Sequence, residues 1–206
     1  MSGTLLELDD TYDYGVELYD VLCKEMLDGK PICCRADLGL LALMISHAKG
    51  DHLEIGSAYG GSLLATLRFM DLCGRDGKVV CIEPFGEDRR DTIHKAVEKE
   101  FWRNIDHFGV RDRIEHIKAF SHPFPVEPGR RFGSAFIDGD HSYKWVLRDW
   151  NNTKDIVDDY IMFHDYGRET VREVVVNHAA PDPDWILAAV HGWSAVMKRN
   201  AESRVK

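Results

Sequence analysis

No stretch of this sequence holds the roughly 18 consecutive apolar residues that a membrane-spanning helix requires. Acidic residues (Glu7, Asp9, Asp10, Asp13) stand near residue 1, where a secretory signal would carry a basic segment. The expectation is a cytoplasmic chain with no membrane partner. Positive charge is also short: 26 Lys and Arg against 35 Asp and Glu give a formal charge of -9, and the basic residues are scattered rather than striped. That argues against a nucleic-acid partner held through its phosphates and for a small-molecule substrate. The five cysteines (Cys23, Cys33, Cys34, Cys73, Cys81) are an odd set with no C-x-x-C pair, which leaves reduced structural thiols rather than a disulfide framework. No linker rich in Pro, Gly and Ser, no internal repeat and no low-complexity segment interrupts the chain. At 206 residues with 44% hydrophobic and 30% charged composition, the chain suits one ordinary globular core.

What is present is organised around residues 52–62, HLEIGSAYGGS, an apolar strand that runs into small residues and restarts as a helix. Leu63, Leu64, Leu67 and Met70 repeat on one face of that helix, and Ser62 is placed to cap it, with free N–H groups over Gly60 and Gly61. A helix start of this kind receives a polar or carboxylate-bearing nucleoside. The spacing Gly56, Gly60, Gly61 does not meet the dinucleotide fingerprint G-x-G-x-x-G. Taken alone, the turn fits several cofactors.

Around it the pattern alternates. Two apolar helices (11–28 and 36–48) precede strand 52–56, helix 62–72, strand 78–83, helix 91–107 and strand 114–119. Helix 91–107 carries Ile93, Val97, Phe101, Ile105 and Phe108 as a stripe, with Lys95, Glu98, Lys99 and Arg103 opposite. Strand 134–138, a helix through Trp145 and Trp150, strand 160–164 and a helix over 168–179 follow. Residues 185–190 and 193–197 flank His191-Gly192 as a hairpin. The fold expected is α/β: a Rossmann-like three-layer sandwich whose mostly parallel seven-stranded sheet ends in an antiparallel hairpin. Residues 1–50 form a helical flank or lid, and 51–206 the ligand-binding domain, within one structural domain.

In an open parallel sheet the ligand crevice lies at the carboxyl ends of the strands. Glu83 ends the second strand, where a carboxylate can accept both hydroxyls of a ribose, and Phe85 beside it is placed to pack on a base. Asp138, Asp140 and His141 follow the fourth strand, and His164 and Asp165 the fifth. Such a set suits a divalent cation, its oxygens favouring Mg²⁺ or Mn²⁺ and its histidine admitting Zn²⁺ or Fe²⁺. The other histidines are dispersed, the Arg89-Arg90 and Arg130-Arg131 pairs read as solvated loop charges, and Tyr12, Tyr14 and Tyr19 as packing residues more than a substrate lid.

The glycine turn, the acids closing strands two and four, the terminal hairpin, and above all IDGDHSYKWVLRDW (137–150) and FHDY (163–166) resemble class I S-adenosylmethionine-dependent methyltransferases over about residues 36–198. Within them the two segments resemble the methyltransferase-24 group, related to metal-dependent O-methyltransferases of catechol type and to macrolide sugar O-methyltransferases. The resemblance implies O-methylation of a small hydroxylated metabolite, with a divalent cation such as Mg²⁺ as an aid, and leaves room for a homo-oligomer. It implies a cofactor site made of Glu54, Gly56, Ser57, Tyr59, Gly60, Ser62, Glu83, Phe85, Phe120, Ser121 and Asp138, with Phe120 and Ser121 at the adenine and Glu54 at the methionine end. It places the metal ligands of relatives at Asp138, His164 and Asp165, although relatives carry an acid where His164 stands. It puts His141, where catechol-type relatives keep a lysine, in the role of base beside Asp138. An NAD or nucleotide-sugar enzyme on a similar sheet, or a module that binds the cofactor without turnover, is the competing reading.

Overall fold

A computed structural model describes residues 9–27, 29–31, 33–85 and 92–202, the side chains of 92–96 excepted. The Arg89-Arg90 pair and the Ile93 and Lys95 side chains lie outside the described residues. Two helices come first, α1 (Asp10–Glu25) and α2 (Arg35–His47). Then follow β1 (His52–Ile55), α3 (Gly61–Leu72), β2 (Val79–Ile82), α4 (Thr92–His107), β3 (Ile114–Ile117), β4 (Phe132–Ile137), α5 (Tyr143–Thr153) and β5 (Val157–Phe163). The chain closes with α6 (Glu169–Val174), which widens into a π turn over Val175–Ala179, and the hairpin β6 (Trp185–His191) and β7 (Ser194–Arg199).

The strands form one seven-stranded sheet in the order β3-β2-β1-β4-β5-β7-β6. Every pair from β3 to β5 is parallel, and β7 joins β5 and β6 antiparallel. The sheet expected from the alternation is therefore the sheet observed. Because successive side chains point to opposite faces, each strand feeds two cores. Val79, Cys81, Phe136, Met162 and Val196 meet α1, α2, α3 and α4 on one face. Leu53, Ile55, Val80, Ile82, Ala135, Ile137, Ile161 and Phe163 meet α5 and α6 on the other. Central strands buried on both faces need not alternate: β2 reads as an unbroken apolar run, whereas β1 buries His52 and Glu54 and β4 buries Ser134 among its apolar residues.

The middle of helix α2 is apolar on all sides: residues 38–45 are buried, Leu38 and residues 40–45 each at most 1% exposed. A helix this apolar is core, and α2 packs within the layer that covers one face of the sheet. Tyr12 is buried on it, Tyr14 stacks edge-on against Phe69, and the Arg35 guanidinium lies over the Tyr19 ring. These tyrosines pack, as the sequence suggests. In α4, Phe101 and Ile105 are fully buried and Val97 lies against the same cluster. Arg130 pairs with Glu115 and Arg131 with Asp158, both at the surface, and all five cysteines are free.

Chain direction reverses between β1 and β4: from β1 the chain crosses to β2 and β3, then returns to β4 on the other side. A crevice opens at such a switch point, outside the carboxyl ends. Here those ends are Ile55-Gly56 and Ile137-Asp138, joined by the bond from Asp138 N–H to Ile55 C=O at 2.8 Å.

Candidate active site

Gly56 is where backbone geometry sets the crevice. Its φ is +87°, and a Cβ there would lie 2.2 Å from the Asp138 carbonyl oxygen. Only glycine lets β1 turn away while the Asp138 loop stays against it. Gly56→Ala is therefore expected to lose about 1–3 kcal/mol from backbone strain alone, read by thermal denaturation.

The turn differs from expectation at its cap. Gly60, in the left-handed conformation, precedes the first residue of α3, Gly61, so Ser62 lies inside the helix rather than capping it. From there the Ser62 hydroxyl reaches back to the preceding strand and donates to Glu54 Oε1 at 2.9 Å. Glu54 itself is fully buried and lies on the wall of neither cavity described below. Burial pushes its carboxyl up to about 8, against the hydrogen bonds from Ser57 and Ser62. The folded state thus holds a proton that the unfolded chain releases near pH 4.5, and stability from this group is lost as pH rises from about 4.5 through 8. Glu54→Gln is expected to flatten that loss, gaining on wild type most at pH 8–9 in a series of melting curves.

Glu83 is the hub of the turn. Its Oε2 accepts from the N–H groups of Ser57 (3.0 Å) and Ala58 (3.3 Å), and its Oε1 from Phe85 N–H (3.1 Å). The half-buried carboxylate still faces the crevice, where its remaining lone pairs are open to a diol. Phe85 departs from expectation. Its φ of +46° turns the ring into the core, 5.1 Å from the rings of both Phe101 and His116, and Pro84 takes its place on the crevice wall.

The main cavity, about 790 Å³, is walled by Ile55, Gly56, Glu83, Pro84, Phe120, Ser121, Asp138, His141 and Trp145. Phe120 is 40% exposed there, its ring centroid 6.3 Å from that of Trp145. An aromatic pair on one wall and a carboxylate on the other suit a nucleoside. An adjoining recess of about 230 Å³ is lined by Lys30, Cys33, Ser57, Tyr59, Ser62, His164 and Asp165, and shares Gly56, Glu83, Asp138, His141 and Arg168 with the main cavity. Gly60 lies on neither wall and shapes the turn instead.

At the junction of the two cavities, one donor atom from each of Asp138, His141, His164 and Asp165 lies within 4.8 Å of the others. His141 Nε2 is 2.5 Å from Asp165 Oδ2 and 3.5 Å from Asp138 Oδ1. His164 Nδ1 is 3.0 Å from Asp138 Oδ1 and 3.4 Å from Asp165 Oδ2. These are close approaches of charge rather than aligned hydrogen bonds: both nitrogens are sealed from solvent without a hydrogen-bond partner. Asp138, opposed by burial, and Asp165 hold His141 above its ordinary value. Burial lowers the pKa of His164, but Asp138 and Asp37 outweigh it and push it up to about 10. Asp165 has a φ of +54°, and its Oδ1 lies 3.3 Å from Arg168 Nε.

Three wall residues were not legible as such in the sequence. Trp145 reads there as an apolar position of α5 and Arg168 as the start of a helix, and Lys30 carries no local signal. Only the folded topology brings them to the crevice.

A mostly parallel sheet with this strand order, a terminal antiparallel hairpin and a crevice at the switch point make up the class I methyltransferase fold. Solved structures agree. The O-methyltransferase NovP superposes with a TM-score of 0.64 at 17% identity, over 92% of this chain and 98% of that one. A putative O-methyltransferase from Klebsiella pneumoniae gives 0.64 at 18% identity, over 92% and 99%. An O-methyltransferase from Bacillus cereus in complex with SAH gives 0.60 at 18%, over 95% and 93%. No curated protein matches the sequence. The model of the methyltransferase-24 family, described as "Methyltransferase domain", matches residues 53–166, more than half of the chain. The chain belongs to that family, and it is an S-adenosylmethionine-dependent methyltransferase.

Proposed function

We propose that this methyltransferase acts on a hydroxyl of a small metabolite, with His141 as the base that takes the hydroxyl proton. The observation that carries the reading is the position of His141: on the wall of both cavities, with Nε2 against Asp165 and Asp138. S-adenosylmethionine, when bound, supplies an electrophilic methyl group on a sulfonium. The chain's own part is then to align an oxygen nucleophile and accept its proton. Glu83 would hold the ribose, and Phe120, Ser121 and Trp145 would flank the base. The two carboxylates beside His141 orient the ring and stabilise the imidazolium that forms when it accepts the proton.

The donor set also fits a divalent cation. Two buried imidazole nitrogens without hydrogen-bond partners face two carboxylate oxygens, an arrangement that a cation between them would satisfy. Asp138, His164 and Asp165 would hold it. When bound it would lower the pKa of the acceptor hydroxyl. A net charge of -9 without a basic stripe supports a small acceptor over a nucleic acid.

The test is a panel of small acceptors (catechols, sugars, hydroxy acids and amines) incubated with methyl-labelled cofactor and read by mass spectrometry. Label in a methyl ether is expected. Label transferred only to nitrogen, or to RNA, would overturn the hydroxyl assignment.

A further inference from the structure

Asp37 lies on α2, far in sequence from the catalytic loops, and the chemistry above leaves it unused. It is 1% exposed, and both of its oxygens are engaged. Oδ1 accepts from Trp193 N–H at 3.0 Å and from the Ser194 hydroxyl at 2.8 Å. Oδ2 accepts from Cys34 N–H at 2.9 Å and from His164 Nε2 at 3.2 Å. One carboxylate therefore ties α2, the end of β5 and the β6–β7 turn together. The opposite edge of the His164 ring faces the reaction centre: Nδ1 is buried, has no hydrogen-bond partner, and lies 3.0 Å and 3.4 Å from the Asp138 and Asp165 oxygens. His164 as a whole is 7% exposed.

A histidine whose one nitrogen donates to a buried carboxylate keeps that proton when a cation displaces the one on the other nitrogen, and the carboxylate strengthens the freed lone pair as a ligand. We propose that Asp37 is a positioning residue that holds the His164 proton on Nε2, so that Nδ1 joins Asp138 and Asp165 as a nitrogen donor to a divalent cation of the Zn²⁺, Co²⁺ or Fe²⁺ class. This rests on the cation reading given above. Where metal-dependent relatives place an acid, this chain sets a neutral nitrogen at the centre and the negative charge one ring further out. A set with imidazole favours borderline cations over Mg²⁺, which prefers an all-oxygen shell.

Asp37→Asn moves the proton with little change in side-chain size. Its amide keeps an oxygen for Trp193 and Ser194 but turns its N–H₂ toward Nε2, which must then accept, so the proton moves to Nδ1, while Cys34 N–H loses its acceptor. The measurement is titration of the purified enzyme with Co²⁺ alone, followed by visible absorption. Affinity for S-adenosylhomocysteine, measured separately, reports on the fold. Asp37→Asn is expected to weaken Co²⁺ binding by about 10–100-fold and to leave the cofactor affinity unchanged. Equal Co²⁺ affinity in the two proteins overturns the role of Asp37, as does displacement of Co²⁺ from wild type by equimolar Mg²⁺. If wild type binds S-adenosylhomocysteine but no Co²⁺, the cation reading itself falls. Should Asp37→Asn not fold, the ¹H–¹⁵N spectrum of the Zn²⁺-loaded wild type decides: a protonated Nε2 with a metal-shifted Nδ1 on His164 supports the assignment, and the reverse overturns it.

Discussion

His141→Ala is expected to lower kcat by about 10²–10⁴-fold, the usual contribution of a positioned general base, with little change in cofactor affinity. The side chain is about one-third exposed and stands at the junction of the two cavities, so its removal opens space rather than a core void. Steady-state kinetics with a methyl acceptor, paired with calorimetry on S-adenosylhomocysteine, give the split. Loss of kcat and affinity together would mean that His141 holds the cofactor. The pH profile adds a signed check. Asp138 and Asp165 raise the pKa of His141, and a base acts only when deprotonated, so activity falls on the acid side of that pKa. Asp165→Asn removes one carboxylate, lowers the pKa and is expected to move the acid limb to lower pH.

Glu83→Ala carries the other large effect, on binding rather than turnover. Two charge-assisted bonds to a diol are worth about 1.5–3 kcal/mol each, so cofactor affinity is expected to fall at least about 100-fold. The same carboxylate also takes the N–H groups of Ser57, Ala58 and Phe85, so the β1–α3 turn loses its anchor as well. Glu83→Gln separates the two roles. It keeps an oxygen for the turn and loses the charge, so it is expected to bind S-adenosylhomocysteine with an affinity between those of wild type and Glu83→Ala. A Glu83→Ala protein binding as tightly as wild type would remove Glu83 from the nucleoside site.

The sheet was legible because its signal is local. Val79 to Ile82 and Ala135 to Ile137 are short apolar runs bounded by polar residues, and Leu53 and Ile55 are interrupted by Glu54 alone; a parallel sheet with helices on both faces favours such stretches. Strand ends could be read for the same reason, which placed Glu83, Asp138, His164 and Asp165 on one edge. What escaped depends on backbone turns and on distance along the chain. The positive φ at Phe85 sends an aromatic that looks like a base platform into the core. The left-handed Gly60 moves the helix start ahead of Ser62 and frees that hydroxyl for Glu54. Asp37 shows the limit most plainly. In the first turn of an apolar helix an acid reads as a partner for the helix dipole, and its bond to Cys34 N–H fits that reading. Nothing local tells that its other contacts are His164, Trp193 and Ser194.

Calorimetric titration of the purified chain with S-adenosylhomocysteine, and separately with NAD, tests the central assignment most directly. The methyltransferase assignment requires saturable one-to-one binding of S-adenosylhomocysteine, lost in Glu83→Ala, and no heat of binding from NAD. Binding of NAD alone, or of neither ligand, would contradict it.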